Sequence, residues 1–333
     1  MADGSPDQPF GDNPFGNLPM FAEMAKALAG QGPLNWDAAR QFAALAATGG
    51  SMPGLMGALG SMGGTPGVAQ LGNEPNVDPT VRIALAELAR IIELHVRDLT
   101  ATSADFPEVT PVTRSAYAQR TLEAYRPLFT ELATSLGRRP PLDDSAATDP
   151  MAAMLVNLSQ MMAPAMMGMA VGSMVGRLAA HTFGQYDLPI PRTDHGLLVV
   201  PANIDEFAAE WSLPLDEMRL WVLAQELTGH ALFAHPALRD GVAELVRAHV
   251  GAFRPDPGAV GERLGQLEAE GAGDPMQAIQ QLFSDPALLL GAVQSPEQAA
   301  LAPQLDAAIA AVVGCIDYVV DAVAVRVIGG SAL

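Results

Sequence analysis

Trp211-Ser212-Leu213-Pro214-Leu215-Asp216-Glu217-Met218-Arg219-Leu220-Trp221-Val222-Leu223-Ala224-Gln225-Glu226-Leu227-Thr228-Gly229-His230 is the stretch from which the rest of this chain is read. Pro214 suits a helix start because it has no N–H to leave unsatisfied. Asp216 and Glu217 fall in the first turn, where negative charge favours the positive end of the helix dipole. The pattern predicts one helix over residues 214–234. Near its end stand Gln225, Glu226, Gly229 and His230. Glu226 and His230 are four residues apart and share a face, while Gly229 lies about 100° round the helix from His230.

The order Gln225-Glu226-Leu227-Thr228-Gly229-His230 resembles the H-E-x-x-H helix of zinc proteases. In that helix two histidines four residues apart hold the metal, and the glutamate between them is the general base. Here Glu226 stands in the base position, Gln225 in the first ligand position and Gly229 in the second. A neutral amide oxygen binds zinc weakly, and glycine has no donor. The whole stretch resembles a bacterial family of zincin-like, zinc-dependent metalloproteases, often described simply as hydrolases. In that family it reads roughly W-S-L-P-x-D-x-x-R-L-W-V-x-x-H-E-x-x-H-H.

Further segments resemble the same family: Asn35-Trp36-Asp37-Ala38-Ala39-Arg40, Asp78-Pro79-Thr80-Val81-Arg82, Gly184-Gln185-Tyr186-Asp187-Leu188-Pro189-Ile190-Pro191, Phe253-Arg254-Pro255-Asp256-Pro257 and Gln294-Ser295-Pro296-Glu297-Gln298. The resemblance covers roughly residues 20 to 330. The resemblance implies a zincin-like fold, zinc as the family's cofactor and a peptide cleft. With both motif histidines replaced, it implies that Glu226 is a vestigial general base and that this chain holds no cofactor. Without a metal, water keeps its high pKa and a lone carboxylate does not activate it.

A displaced metal site remains open, beside the reading of His230 as a satisfied helix histidine. His230 matches the second, non-ligating histidine of the family pattern, and it could join Glu226 on their common face. A third ligand would come from a later helix, around Val313-Gly314-Cys315-Ile316-Asp317-Tyr318-Val319-Val320-Asp321. If the ligating position is that of Val313 it is lost, and if it is that of Asp317 it survives. Asp317 and Asp321 are four residues apart on an apolar helix, and an ion pair with Arg219 or Arg239 would equally explain them. Cys315 has no basic neighbour that would make it a nucleophile, and it reads as a buried, inert thiol.

Composition narrows the function classes. The 333 residues carry a formal charge of −19, and Lys26 is the only lysine. That balance disfavours nucleic acid, which needs a basic patch, and an anionic membrane surface. A single cysteine excludes an internal disulfide and fits a reducing, cytoplasmic setting. Residues 1–20 are acidic and rich in Gly and Pro rather than ordered like a signal peptide.

Along the chain, residues 1–76 read as a Gly-, Pro- and Met-rich N-terminal region with short helices at 20–28 and 36–46, and residues 77–330 read as one helical domain. Residues 1–20 are expected to be disordered and 49–67 to be a flexible linker. Aspartate followed by proline recurs at Asp78, Asp149, Asp256, Asp274 and Asp285. Aspartate caps free N–H groups while proline takes the first helical position. Ser295-Pro296-Glu297-Gln298 adds a capping box. Helices are expected near 79–98, 113–136, 150–181, 204–211, 214–234, 236–252, 257–269, 275–283 and 296–328.

Residues 188–190 and 197–200 are expected to pair as a small hairpin. The resemblance implies that such a strand holds extended substrate by its edge; a plain structural hairpin fits the residues equally. Residues 150–176 carry no charge and are long enough to span a membrane. Asn157, Gln160 and Pro164 within the run argue instead for a core helix, with Gly168, Gly172 and Gly176 allowing close approach of a second helix. The expected fold is therefore mainly α and zincin-like, with a small β hairpin. The expected function is a catalytically inactive metallopeptidase relative binding a peptide or protein partner, with neither nucleic acid nor membrane as ligand. The alternative is an active metal-dependent hydrolase built on Glu226, His230 and Asp317.

Overall fold

The computed structural model describes residues 32–49, 74–137, 150–193, 196–254, 295–327 and 329. The expected helices at 20–28, 257–269 and 275–283, the expected disorder of 1–20 and nearly all of the 49–67 linker lie outside these residues. In chain order the described elements are helices α1 (Trp36–Ala47) and α2 (Pro79–Thr100), strand β1 (Val109–Pro111), helices α3 (Arg114–Ala124), α4 (Arg126–Leu136) and α5 (Pro150–His181), a 3-10 turn (Gln185–Asp187), strand β2 (Leu197–Val199), and helices α6 (Pro201–Glu210), α7 (Leu215–Phe233), α8 (Pro236–Gly251) and α9 (Pro296–Val327). The fold is mainly α, as the periodicity predicts.

The caps form where aspartate, asparagine and serine place them. Asp78 Oδ1 accepts the Thr80 N–H at 2.7 Å and starts α2. Asn35 Oδ1 accepts from Asp37 and Ala38 and starts α1. Ser295 and Gln298 exchange reciprocal hydrogen bonds at the start of α9. The single helix expected over 113–136 is two. Pro127 has no N–H to continue the ladder, and the chain breaks at Tyr125, between α3 and α4.

The β element also differs from expectation. β1 and β2 pair in parallel, Val109 with Leu197 and Pro111 with Val199, so they are not a hairpin. Residues 188–190 form no strand. Pro189 and Pro191 deny that segment two of the N–H groups a ladder needs, and the Ile190 N–H instead turns back onto the Leu188 carbonyl at 2.7 Å.

β2 is a partition between two apolar clusters. Leu197 and Val199 face the cluster built on α2, α7 and α9. Leu198 and Val200 face the cluster built on α1, α3 and α5. The alternation is the two-residue period of an extended chain buried on both sides.

In the second cluster α5 lies directly on α1. A side chain at Gly172 would run into the Ala39 carbonyl and the Phe42 Cβ, and one at Gly176 would meet the Ala43 carbonyl and the Ala46 Cβ. The four-residue glycine spacing thus serves helix packing against α1. In the first cluster α9 packs Val312, Ile316, Val319 and Val323 inward. Among the described residues, α9 is the helix long and apolar enough to cross a membrane, and a third of its apolar window is buried.

Candidate functional site

α7 carries the motif and runs through the middle of the first cluster, with eleven of its nineteen residues buried. Glu226 is fully buried. Its partners come from the turn after α5. The Gln185 N–H donates to Oε2 at 2.9 Å, and the Tyr186 N–H reaches Oε1 at 3.0 Å and Oε2 at 3.1 Å. Both carboxyl oxygens are therefore engaged by backbone amides. Loss of hydration pushes the Glu226 pKa well above the usual carboxylate value, with nearby Asp187 adding repulsion and the two amides opposing the rise. Gly184 passes so close that any side chain there would overlap the Glu226 carboxyl group.

The same turn occupies the positions flanking Glu226. Gln225 Nε2 donates to Asp187 Oδ1 at 2.6 Å. Asp187 Oδ2 caps its own turn, accepting from the Phe183 and Gly184 N–H groups and lying 2.8 Å from Thr182 Oγ1. A Cβ at Gly229 would lie 2.6 Å from the Tyr186 ring. Gln185 completes the clamp, its Oε1 accepting the Leu198 N–H at 3.1 Å. That bond and the antiparallel bridge of Gly184 to Val199 close the edge of β2 that faces away from β1. β2 thus has no free edge for an extended substrate.

His230 sits one residue beyond Gly229 and is half-buried. Its Nε2 is 3.2 Å from the Asp105 carbonyl oxygen. A carbonyl only accepts, so Nε2 carries the proton. Burial lowers the His230 pKa, partly opposed by that hydrogen bond. The Phe106 ring lies against it, centroids 5.6 Å apart. Asp317 is exposed on α9, as is Asp321. The expected ion pairs do not form: Arg219 pairs with Asp205 at 2.9 Å and Arg239 with Asp240 at 2.9 Å. Cys315 is exposed rather than buried.

The test for the family's zinc is therefore one of donors. Gln225 offers its amide N–H to Asp187, Gly229 offers nothing, and both Glu226 oxygens already accept N–H bonds. Among the described residues, Glu226, His230 and Asp317 included, no three His, Cys, Asp or Glu side chains gather in a way that could hold a metal ion. The described residues do not fit the group.

Beside this clamp a cleft of about 740 Å³ opens between α7, the 104–107 segment and residues 191–193. Tyr186, Phe233, Phe106 and His230 give it an aromatic wall, and Asp105, Arg192, Arg239 and Asp240 bring charge. The Tyr186 and Phe233 rings stack at 5.7 Å.

Residues 34–332 match the family model described as zincin-like metallopeptidase. The chain belongs to that family. A solved structure from Chloroflexus aurantiacus, assigned provisionally as a hydrolase with a novel fold, matches this zincin-like chain at 20% identity. The match covers 85% of this chain and 80% of that one, with a TM-score of 0.41. No curated protein matches the chain. The membership accounts for the motif at residues 225–230, and the geometry shows what this zincin-like chain has put in its place.

Gln185, Tyr186 and Asp187 were legible only as part of a family-like segment, not as partners of the motif. They lie some forty residues before Glu226, and no helical or strand spacing links positions so far apart. The link is chemical and becomes visible only in the fold: a buried glutamate requires donors, and the N–H groups of a glycine-led turn supply them.

Proposed function

We propose that this chain is a zincin-like family member without peptidase chemistry or a resident metal, which binds a peptide or protein segment in the cleft beside His230. The observation that carries the reading is the state of Glu226: fully buried, with both oxygens held by the Gln185 and Tyr186 amides. A general base must be within reach of the water whose proton it takes. Here the carboxyl group is a structural anchor for the turn that floors the cleft. The cleft has a volume in the range of binding sites, with aromatic walls and a few polar groups. Mixed charge and prolines at its rim suit an extended segment better than a small apolar molecule. The single cysteine is consistent with a cytoplasmic setting.

The test is elemental analysis of untagged protein before and after incubation with zinc, alongside peptide-library binding and cleavage assays. Peptide binding without stoichiometric metal and without cleavage is the expected result. One zinc per chain with cleavage abolished by His230→Ala would overturn it in favour of an active hydrolase using Glu226, His230 and Asp317.

A further inference from the structure

We infer that the cleft selects a basic peptide segment, reading a lysine or arginine side chain with the Asp105 carboxylate. The inference rests on the proposal that the cleft binds a peptide, and adds which peptides it takes.

The argument is one of elimination among the charges that line the cleft. Arg192 is turned into the protein: its Nη1 donates to Thr121 Oγ1 at 3.1 Å, and its guanidinium lies 5.9 Å from the Tyr117 ring and 5.5 Å from the Tyr125 ring. Arg239 is held by Asp240 at 2.9 Å. Burial favours the neutral form of His230. Asp105 differs. It is exposed, its carbonyl is used by His230, and its carboxylate has no hydrogen-bond or ion-pair partner among the described residues. Among the described residues that line the cleft, Asp105 therefore supplies the carboxylate left without a partner.

The surroundings suit a long cationic side chain. Phe106, Pro107, Tyr186 and Phe233 line the same cleft. Lysine and arginine lay their methylene stems along such surfaces while the head group reaches a carboxylate. The field of the whole molecule acts the same way, since a formal charge of −19 draws cationic segments in and repels acidic ones.

The test uses the full chain and three fluorescein-labelled nonapeptides, identical except for a central arginine, glutamine or glutamate, with binding read by fluorescence anisotropy at low and moderate salt. The arginine peptide is expected to bind about tenfold tighter than the glutamate peptide, a gap of about 1.4 kcal/mol, and the gap should narrow as salt rises. At moderate salt, where the long-range field is screened, Asp105→Asn, an exposed change expected to leave the melting temperature unaltered, should remove most of the arginine preference and leave the glutamine peptide's affinity as it was. Equal binding of all three peptides, or an arginine preference that survives Asp105→Asn, overturns this inference while leaving the cleft a peptide site. Failure of every peptide in the library assay and in this one brings down the underlying reading instead.

Discussion

The Tyr186 ring lies where a side chain at Gly229 would begin, its Cγ 2.6 Å from the position of the missing Cβ. The second ligand position of the zincin motif is thus physically filled from the turn after α5. Gly229→Ala tests the relationship. Within a helix, alanine is favoured over glycine by about 1 kcal/mol. Overpacking a buried site costs about 1–3 kcal/mol. Tyr186 also stacks on Phe233, so its ring cannot swing aside without losing that contact. The expected outcome in urea unfolding is a net loss of stability for Gly229→Ala alone. In a Tyr186→Ala background the loss should shrink without vanishing, because the Cβ of residue 186 itself lies 2.9 Å from the new one. A stabilised single variant would show that the ring yields freely.

Glu226 is expected to matter for stability before anything else. Glu226→Ala orphans two buried N–H groups, each costing about 1–3 kcal/mol when unsatisfied, and leaves a cavity. Glu226→Gln keeps the shape but must turn an NH₂ toward one of those donors, so it should lose about one such increment. Thermal unfolding should rank wild type above Glu226→Gln above Glu226→Ala. Equal melting temperatures for all three would remove the anchor role assigned to this residue.

Local chemistry made the helical framework legible. Asp78 with Pro79, and Ser295 with Gln298, announced α2 and α9 because capping is settled within a few residues. What escaped was set by distance. β1 finds β2 across nearly ninety residues in a parallel register, and three residues of alternating or apolar sequence do not name their partner. The prolines at 189 and 191 held the information that this segment would not be a strand, since each removes a ladder donor. At the site, the motif's missing histidines were plain from residue types alone. That Glu226 would be a buried anchor was not, because its partners are backbone amides contributed by a distant turn, and backbone donors leave no mark in side-chain spacing.

The glycines of α5 give a third prediction, with an internal control. Gly172 meets the Ala39 carbonyl of α1 so closely that a methyl group there must push the two helices apart. Gly172→Ala should therefore destabilise by about 1–3 kcal/mol through overpacking, despite alanine's better helix propensity. At Gly241, inside α8, a methyl group would find nothing within 4 Å. There only propensity acts, and Gly241→Ala should stabilise by about 0.5–1 kcal/mol. Opposite signs by chemical denaturation are expected. The same sign at both sites would show that the α1–α5 contact is looser than described.

Two groups of this site should oppose each other in the dependence of stability on pH. The folded state raises the Glu226 pKa above its ordinary 4.5, so it keeps a proton that the unfolded chain releases. The associated stability is present below about pH 4.5 and is lost as pH rises through the folded pKa. His230 has the opposite sign. Its folded pKa lies below the ordinary 6.5, so the unfolded chain binds the extra proton, and stability is gained as pH rises toward 6.5. Urea unfolding from pH 5 to pH 8 separates them. Relative to wild type, Glu226→Gln should lose less stability as pH rises, because its side chain does not titrate. His230→Asn should gain less over the lower half of the range. Superimposable slopes for wild type and Glu226→Gln would mean that the buried carboxyl group holds no extra proton, and that its two amide bonds outweigh burial and the neighbouring Asp187.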